Sequence, residues 1–178
     1  MSKLIRVYWD ANAWIAYINQ EESIDNNGSQ ENRFSMCHQI LELAEKGKIE
    51  IATSTFTLAE VYKPKNIQTS PLDNLPNFLD KSYILMIDVD KAVGINARSL
   101  LASGEVNLSP QDAIHIASAQ RASAKELHTF DKQILNHDGK ISGFKGAKLK
   151  ICKPTEGAPM PLFDEQNNTD DENQEDIT

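Results

Sequence analysis

Short apolar runs of four to six residues alternate with longer stretches in which apolar positions recur at helical spacing. Leu4-Ile5-Arg6-Val7-Tyr8-Trp9 is β-prone and almost wholly apolar, as a strand buried on both faces requires. It stops at Asp10, and Ala11 to Ile18 then reads as a helix. Residues 21–33 are polar around Asn26-Asn27-Gly28 and predict a loop. Met36, Ile40, Leu41, Leu43 and Ala44 give residues 35–46 one apolar side, and Gly47 supplies the stop. Further strands are predicted at 49–52, 83–87, 126–130 and 149–152. Helices are predicted at 55–62 (ending before Pro64), 72–81, 91–103 and 110–124, with a short one after Asp131. Strands and helices taken in turn predict an α/β fold, a three-layer α/β/α sandwich around a mainly parallel sheet.

Composition sets the boundaries of that domain. The chain has 178 residues with a formal net charge of −8, which by itself argues against a nucleic-acid binder. Seven acids and no base lie between Asp164 and the C-terminus, and residues 1–163 hold 19 acids against 18 bases. The acidity therefore belongs to the tail, and the folded part is neutral. We expect a single domain over 1–153 and a disordered acidic tail over 154–178, rich in Pro, Asn, Asp and Glu. Charges interrupt every apolar run, so no membrane span is expected. Arg6 and Asp10 spoil the first run as a secretory signal. Cys37 and Cys152 stand far apart with no ligand spacing, which suits a reduced, cytoplasmic protein.

In a parallel sheet, functional groups gather beyond the carboxyl ends of the strands. Asp10 follows the first strand and Asp131 follows the strand at 126–130. Asp112 lies in the first turn of the helix from Pro110, and Glu60 lies on the helix after the Ile49 strand. Each has a structural explanation: Asp10 and Asp131 suit helix N-caps, and Ser109-Pro110-Gln111-Asp112 suits a capping box. Glu60 suits a solvated helix face. Those explanations leave the apolar neighbours unaccounted for, since Trp9-Asp10-Ala11, Ala59-Glu60-Val61 and Asp112-Ala113-Ile114 imply partly buried carboxylates, which call for a cation.

The order of four pieces resembles the PIN-domain family, which includes the VapC-type toxins of bacterial toxin–antitoxin systems. The pieces are the first strand ending in Asp10-Ala11-Asn12, the Ala59-Glu60-Val61 helix, Asp112-Ala113-Ile114-His115-Ile116-Ala117-Ser118-Ala119, and Thr129-Phe130-Asp131-Lys132. The resemblance spans about residues 4–152. It implies a metal-dependent endoribonuclease with Asp10, Glu60, Asp112 and Asp131 around the metal, Asn12 assisting, and Thr129 as the hydroxyl before the last acid. It also implies an RNA substrate, an antitoxin protein that fills the groove, and a homodimer. The 21–33 insertion and the acidic tail depart from the family pattern.

Phosphodiester hydrolysis needs a nucleophilic water and relief of negative charge, which oxygen-ligated Mg²⁺ or Mn²⁺ supplies. No His or Cys cluster points to zinc; His38, His128 and His137 read as structural, and His115 stands out because it lies one turn past Asp112. Two carboxylates ~5 Å apart repel by roughly 3 kcal/mol at an effective dielectric near 20, so metal should stabilise the fold. Between Gly139 and Thr155 there are five lysines and no acid. Lys140, Lys145, Lys148 and Lys150 are candidates for the RNA backbone, and a solvated face is the plain alternative. The acidic tail either folds over that surface or serves solubility. A dehalogenase-type phosphotransferase would need a second acid where Asn12 stands, and a receiver domain would need paired acids that are missing. The rival from another class is a non-catalytic PIN-like module that binds RNA or protein.

Overall fold

The computed structural model describes residues 4–24, 28–62, 75–104 and 107–155. The acidic tail beyond Thr155 and the basic residues Lys63 and Lys65 lie outside the described residues. Strands β1 (Ile5–Trp9), β4 (Ile49–Ser54), β5 (Ile84–Ile87), β6 (Glu126–His128) and β7 (Lys150–Cys152) form one parallel sheet in the order β5-β4-β1-β6-β7. The helices are α1 (Ala11–Ile18), α2 (Arg33–Glu45), α3 (Thr57–Glu60), α4 (Leu75–Leu79), α5 (Lys91–Ala102), α6 (Pro110–Arg121) and α7 (Lys132–Leu135).

Alternation along each strand feeds two cores. Val7, Trp9 and Ile51 pack with α1, α2 and α4 on one face. Tyr8, Ala52, Leu127 and Ile151 pack with α6 and α7 on the other, where α5 closes against α6 through Val93, Ala97, Ala113 and Ala117. Tyr8 and Trp9 are both fully buried, on opposite faces, which explains why β1 reads as an unbroken apolar run. Gly47, at a φ of 68°, ends α2 in the left-handed conformation that a side chain resists. No helix among the described residues is long and apolar enough to cross a membrane.

Where a loop was expected at 21–33, the described residues form two short antiparallel strands instead, β2 (Glu22–Ile24) paired with β3 (Gln30–Asn32). Polar pairs hold them together, not an apolar face. Ser23 donates to Glu31 at 3.1 Å, Gln30 to Glu22 at 2.9 Å and Asn32 to Glu22 at 3.1 Å. Glu31 also binds Arg33 at 3.0 Å and the Lys153 ammonium, fastening β3 to the end of β7. Burial works to raise the Glu31 carboxyl's pKa, but Lys153, Arg33 and Ser23 outweigh it and hold it below the ordinary value. Helix α3 is a single turn where a longer helix over 55–62 was expected.

Candidate active site

All five strands of the main sheet are parallel, so their carboxyl ends share one edge. The chain moves outward from β1 to β4 and β5, then returns to the other side of β1 as β6. The carboxyl ends of β1 and β6 therefore form the point where strand order reverses, the usual place for a site in such sheets. Trp9 is in register with His128, and the Asp10 amide donates to the His128 carbonyl at 3.4 Å. Asp10 and the Thr129–Asp131 segment thus leave the sheet side by side.

Asp10 is 1% exposed and caps α1, its Oδ1 accepting from the Ala13 amide at 3.0 Å. Its Oδ2 is buried with no hydrogen-bond partner. Burial pushes the carboxyl's pKa above the ordinary value. The nearby His115, the Thr129 hydroxyl and the Ala13 amide oppose the shift, and Asp131 adds to it.

Glu60 ends α3, and its Oε2 meets Nε2 of His115 at 2.6 Å. The other ring nitrogen of His115, Nδ1, lies 2.9 Å from the Tyr8 hydroxyl. Burial, the dominant influence, pushes the Tyr8 phenol far above its ordinary pKa, so it stays a neutral O–H. The capping box expected at α6 is present. Asp112 Oδ2 accepts from the Ser109 amide at 3.1 Å, and Ser109 Oγ accepts from the Asp112 amide at the same distance. Asp131 caps α7, its Oδ1 accepting from the Gln133 amide at 2.7 Å, while its own amide donates to the buried Thr129 hydroxyl at 2.9 Å. Asn12 is exposed in the first turn of α1.

The four acids share one feature. Each has a single carboxylate oxygen held by a cap or by His115, and its second oxygen accepts no hydrogen bond among the described residues. The structural and the functional explanations of these residues are therefore compatible, because the cap fixes the carboxylate and leaves one lone-pair face open. An orphaned, buried Asp10 oxygen at an edge that also carries carboxylates, all hard oxygen donors, suits a divalent cation of the Mg²⁺ or Mn²⁺ type. Among the described residues, no three of these acids bring ligand atoms within 4.8 Å of one another.

A different trio does, and sequence reading missed it: Glu126, His128 and Cys152, all buried. Two of its members stand at i and i+2 on β6, a spacing that puts both on one face, and Cys152 is the register partner of His128 on β7. The expectation that no histidine–cysteine cluster exists is corrected on this point. The trio's donors and acceptors are already matched. Trp9 Nε1–H can only donate, and it lies 3.2 Å from His128 Nδ1, so the imidazole proton belongs on Nε2. That proton points at Glu126 Oε2, 2.9 Å away, and the Cys152 thiol approaches the same oxygen at 3.9 Å. A cation on Nε2 would move the proton to Nδ1 and set it against the indole N–H.

The lysines stand elsewhere. Helix α6 runs away from the acids, and the Ala122 carbonyl just past its end accepts from Arg6 at the start of β1. Gln120 donates to the Ser142 carbonyl at 2.5 Å, and Lys150 is the strand-register neighbour of Glu126, the first residue of β6. Lys140, Lys148 and Lys150 therefore border the amino edge of the sheet, as does the 3-10 turn carrying Lys145, about 18 Å of helix from the acids. Lys150 is engaged by Asp138 at 2.7 Å, and Lys148 donates to the Lys140 carbonyl at 3.3 Å.

A parallel sheet flanked by helices, with carboxylates at its switch point, defines an α/β domain whose site lies at the carboxyl edge of the strands. Residues 7–140 match the family model of the PIN domain, and the chain belongs to that family. PIN domains are typically nucleases and generally depend on divalent metal. Among solved structures the chain is similar to Mycobacterium tuberculosis VapC20, a sarcin–ricin loop cleaving toxin. The identity is 17% and the TM-score 0.50, over 72% of this chain and 92% of that one. It is similar also to VapBC2 from Rickettsia felis, whose structure includes a fragment of promoter DNA, at 18% identity and TM-score 0.50 over 83% and 98%. FitAcB from Neisseria gonorrhoeae matches at 16% identity and TM-score 0.47, over 83% and 97%. At these identities the likeness to the first two establishes the fold alone. No curated protein shows a significant sequence match.

Proposed function

We propose that this protein is a metal-dependent endoribonuclease that hydrolyses RNA phosphodiester bonds, acting as the toxin of a toxin–antitoxin pair in the cytoplasm. The observation that carries the reading is the buried, partnerless Oδ2 of Asp10 at the sheet's switch point, with Asp131 near enough to help push the Asp10 carboxyl's pKa up. Asp10, Glu60, Asp112 and Asp131 would hold Mg²⁺ or Mn²⁺. The bound ion would polarise the phosphate and lower the pKa of an attacking water. Asp10 is oriented for this by the Ala13 amide, and Asp131 by the Gln133 amide. Thr129 fixes the turn between β6 and Asp131 by accepting from the Asp131 amide, and Asn12, exposed in the first turn of α1, would donate to a phosphate oxygen of the RNA.

An antitoxin segment would occupy the same edge and offer a cation to the open oxygens, and a second copy of the chain would complete a homodimer. Lys140, Lys145, Lys148 and Lys150 would meet the RNA backbone only where the substrate wraps from the carboxyl edge towards the amino edge.

The test is cleavage of a panel of structured and single-stranded RNAs by wild type and by Asp10→Asn/Asp112→Asn, with Mg²⁺, with Mn²⁺ and with chelator. We expect metal-dependent cutting that the double variant reduces to the level of chelated wild type. Equal cutting by both proteins would identify a contaminant. No cutting by either, with RNA still bound, would favour a non-catalytic PIN-like binding module.

A further inference from the structure

We propose that His115, anchored by Tyr8, is the positioning residue that holds Glu60 ready for the metal. The inference rests on the nuclease reading above and assigns a role to a residue outside the four acids. Helix α3 is only four residues long, and Glu60 is its last. A single turn is too short to hold its own shape, so α3 cannot by itself fix a side chain with three rotatable bonds. The fixing comes from α6. His115 is 3% exposed, sits one turn beyond Asp112, and uses both ring nitrogens, Nε2 on Glu60 at 2.6 Å and Nδ1 on Tyr8 at 2.9 Å. Its ring also packs edge-on to Tyr8 at 5.9 Å between centroids and against Phe56, the residue before α3, at 5.7 Å. With both nitrogens committed and both ring contacts made, the imidazole has one orientation.

The same side chain thus ties together β1, α3 and α6, the three elements that deliver Asp10, Glu60 and Asp112. A carboxylate can only accept, so Nε2 is the donor to Glu60, and the Tyr8 hydroxyl, able to donate or accept, partners Nδ1. Only Oε2 of Glu60 is taken; Oε1 accepts no hydrogen bond among the described residues. A donor behind a ligating carboxylate orients it and lowers the entropy lost when a cation binds, and losing such a partner typically weakens metal affinity about 10–100-fold.

The experiment is Mn²⁺ titration of the full-length protein, reading free Mn²⁺ by electron paramagnetic resonance, with near-ultraviolet circular dichroism to verify packing. His115→Ala should weaken binding by about 10–100-fold. His115→Gln, whose amide can still donate to Glu60, should recover part of the loss, and Tyr8→Phe should lose less than His115→Ala. In a Glu60→Gln background, His115→Ala should add nothing, because the interaction it serves is gone. Wild-type affinity in His115→Ala, or an equal loss in the Glu60→Gln background, overturns the proposal. Tighter binding in His115→Ala also overturns it, since His115 would then compete with the metal for Glu60. Asp10→Asn separates the two readings. If it leaves Mn²⁺ affinity unchanged, the metal site itself fails. If it abolishes binding while His115→Ala does not weaken it, the role of His115 alone fails.

Discussion

Two polar clusters lie within a few residues of each other at the ends of β1 and β6, and they differ in what is left over. Glu126, His128 and Cys152 crowd within 4.8 Å, yet each hydrogen is aimed at an acceptor and Trp9 fixes the imidazole tautomer. The acids at the carboxyl edge are more loosely grouped, and each keeps an oxygen without a donor. The closed cluster has the denser set of metal-type ligands, and the open one has the unmet valence. Unmet valence marks the place for a ligand, because a buried acceptor without a partner costs about 1–3 kcal/mol that a cation would recover.

The comparison can be broken by removing one member of each cluster. The larger effect on stability belongs to the closed trio. Glu126→Ala should destabilise the fold by about 1–3 kcal/mol in urea, since it strands the His128 Nε2–H inside the sheet. Added Zn²⁺ should not restore what was lost. Recovery with Zn²⁺, or an unchanged midpoint, would mean that the trio is an open site after all.

Asp10→Asn should act in the opposite direction, stabilising the chelated protein by about 0.5–2 kcal/mol at neutral pH, in the range common for relieving strain at a functional site. The sign follows from the carboxyl's raised pKa in the fold. The folded state keeps the Asp10 proton longer than the unfolded chain, so the wild type loses stability as pH rises from about 4, the ordinary carboxyl value, through the raised one. The gap between Asp10→Asn and wild type should therefore be small at pH 4 and widen towards pH 7. A gap that is constant with pH would remove the buried carboxylate as its cause.

Where the structure places the acids of the candidate site was legible in the sequence, for local reasons. Asp10 and Asp131 each follow a strand and begin a helix, and Ser109-Pro110-Gln111-Asp112 is a cap signal carried in four consecutive residues. The parallel sheet was equally readable, because β1 is apolar on both faces and helices separate the strands. What escaped depends on partners distant in the chain. The β2–β3 pair has no apolar alternation to announce it, and its tie to the domain is Glu31 with Lys153, 122 positions later. Cys152 meets His128 only through the pairing of β6 with β7, and Glu60 meets His115 across 55 positions. The lysines read as one basic run in sequence, but the turn of the chain between α7 and β7 carries them to the edge opposite the acids.

The central claim is that the open oxygens at the carboxyl edge, and not the crowded trio, take a divalent cation. Its most direct test is the melting temperature of wild type, Asp10→Asn and Cys152→Ser, each with chelator and with Mn²⁺. The account predicts that Mn²⁺ raises the melting temperature of wild type and of Cys152→Ser, and leaves Asp10→Asn unmoved. A rise that survives in Asp10→Asn and disappears in Cys152→Ser would contradict it.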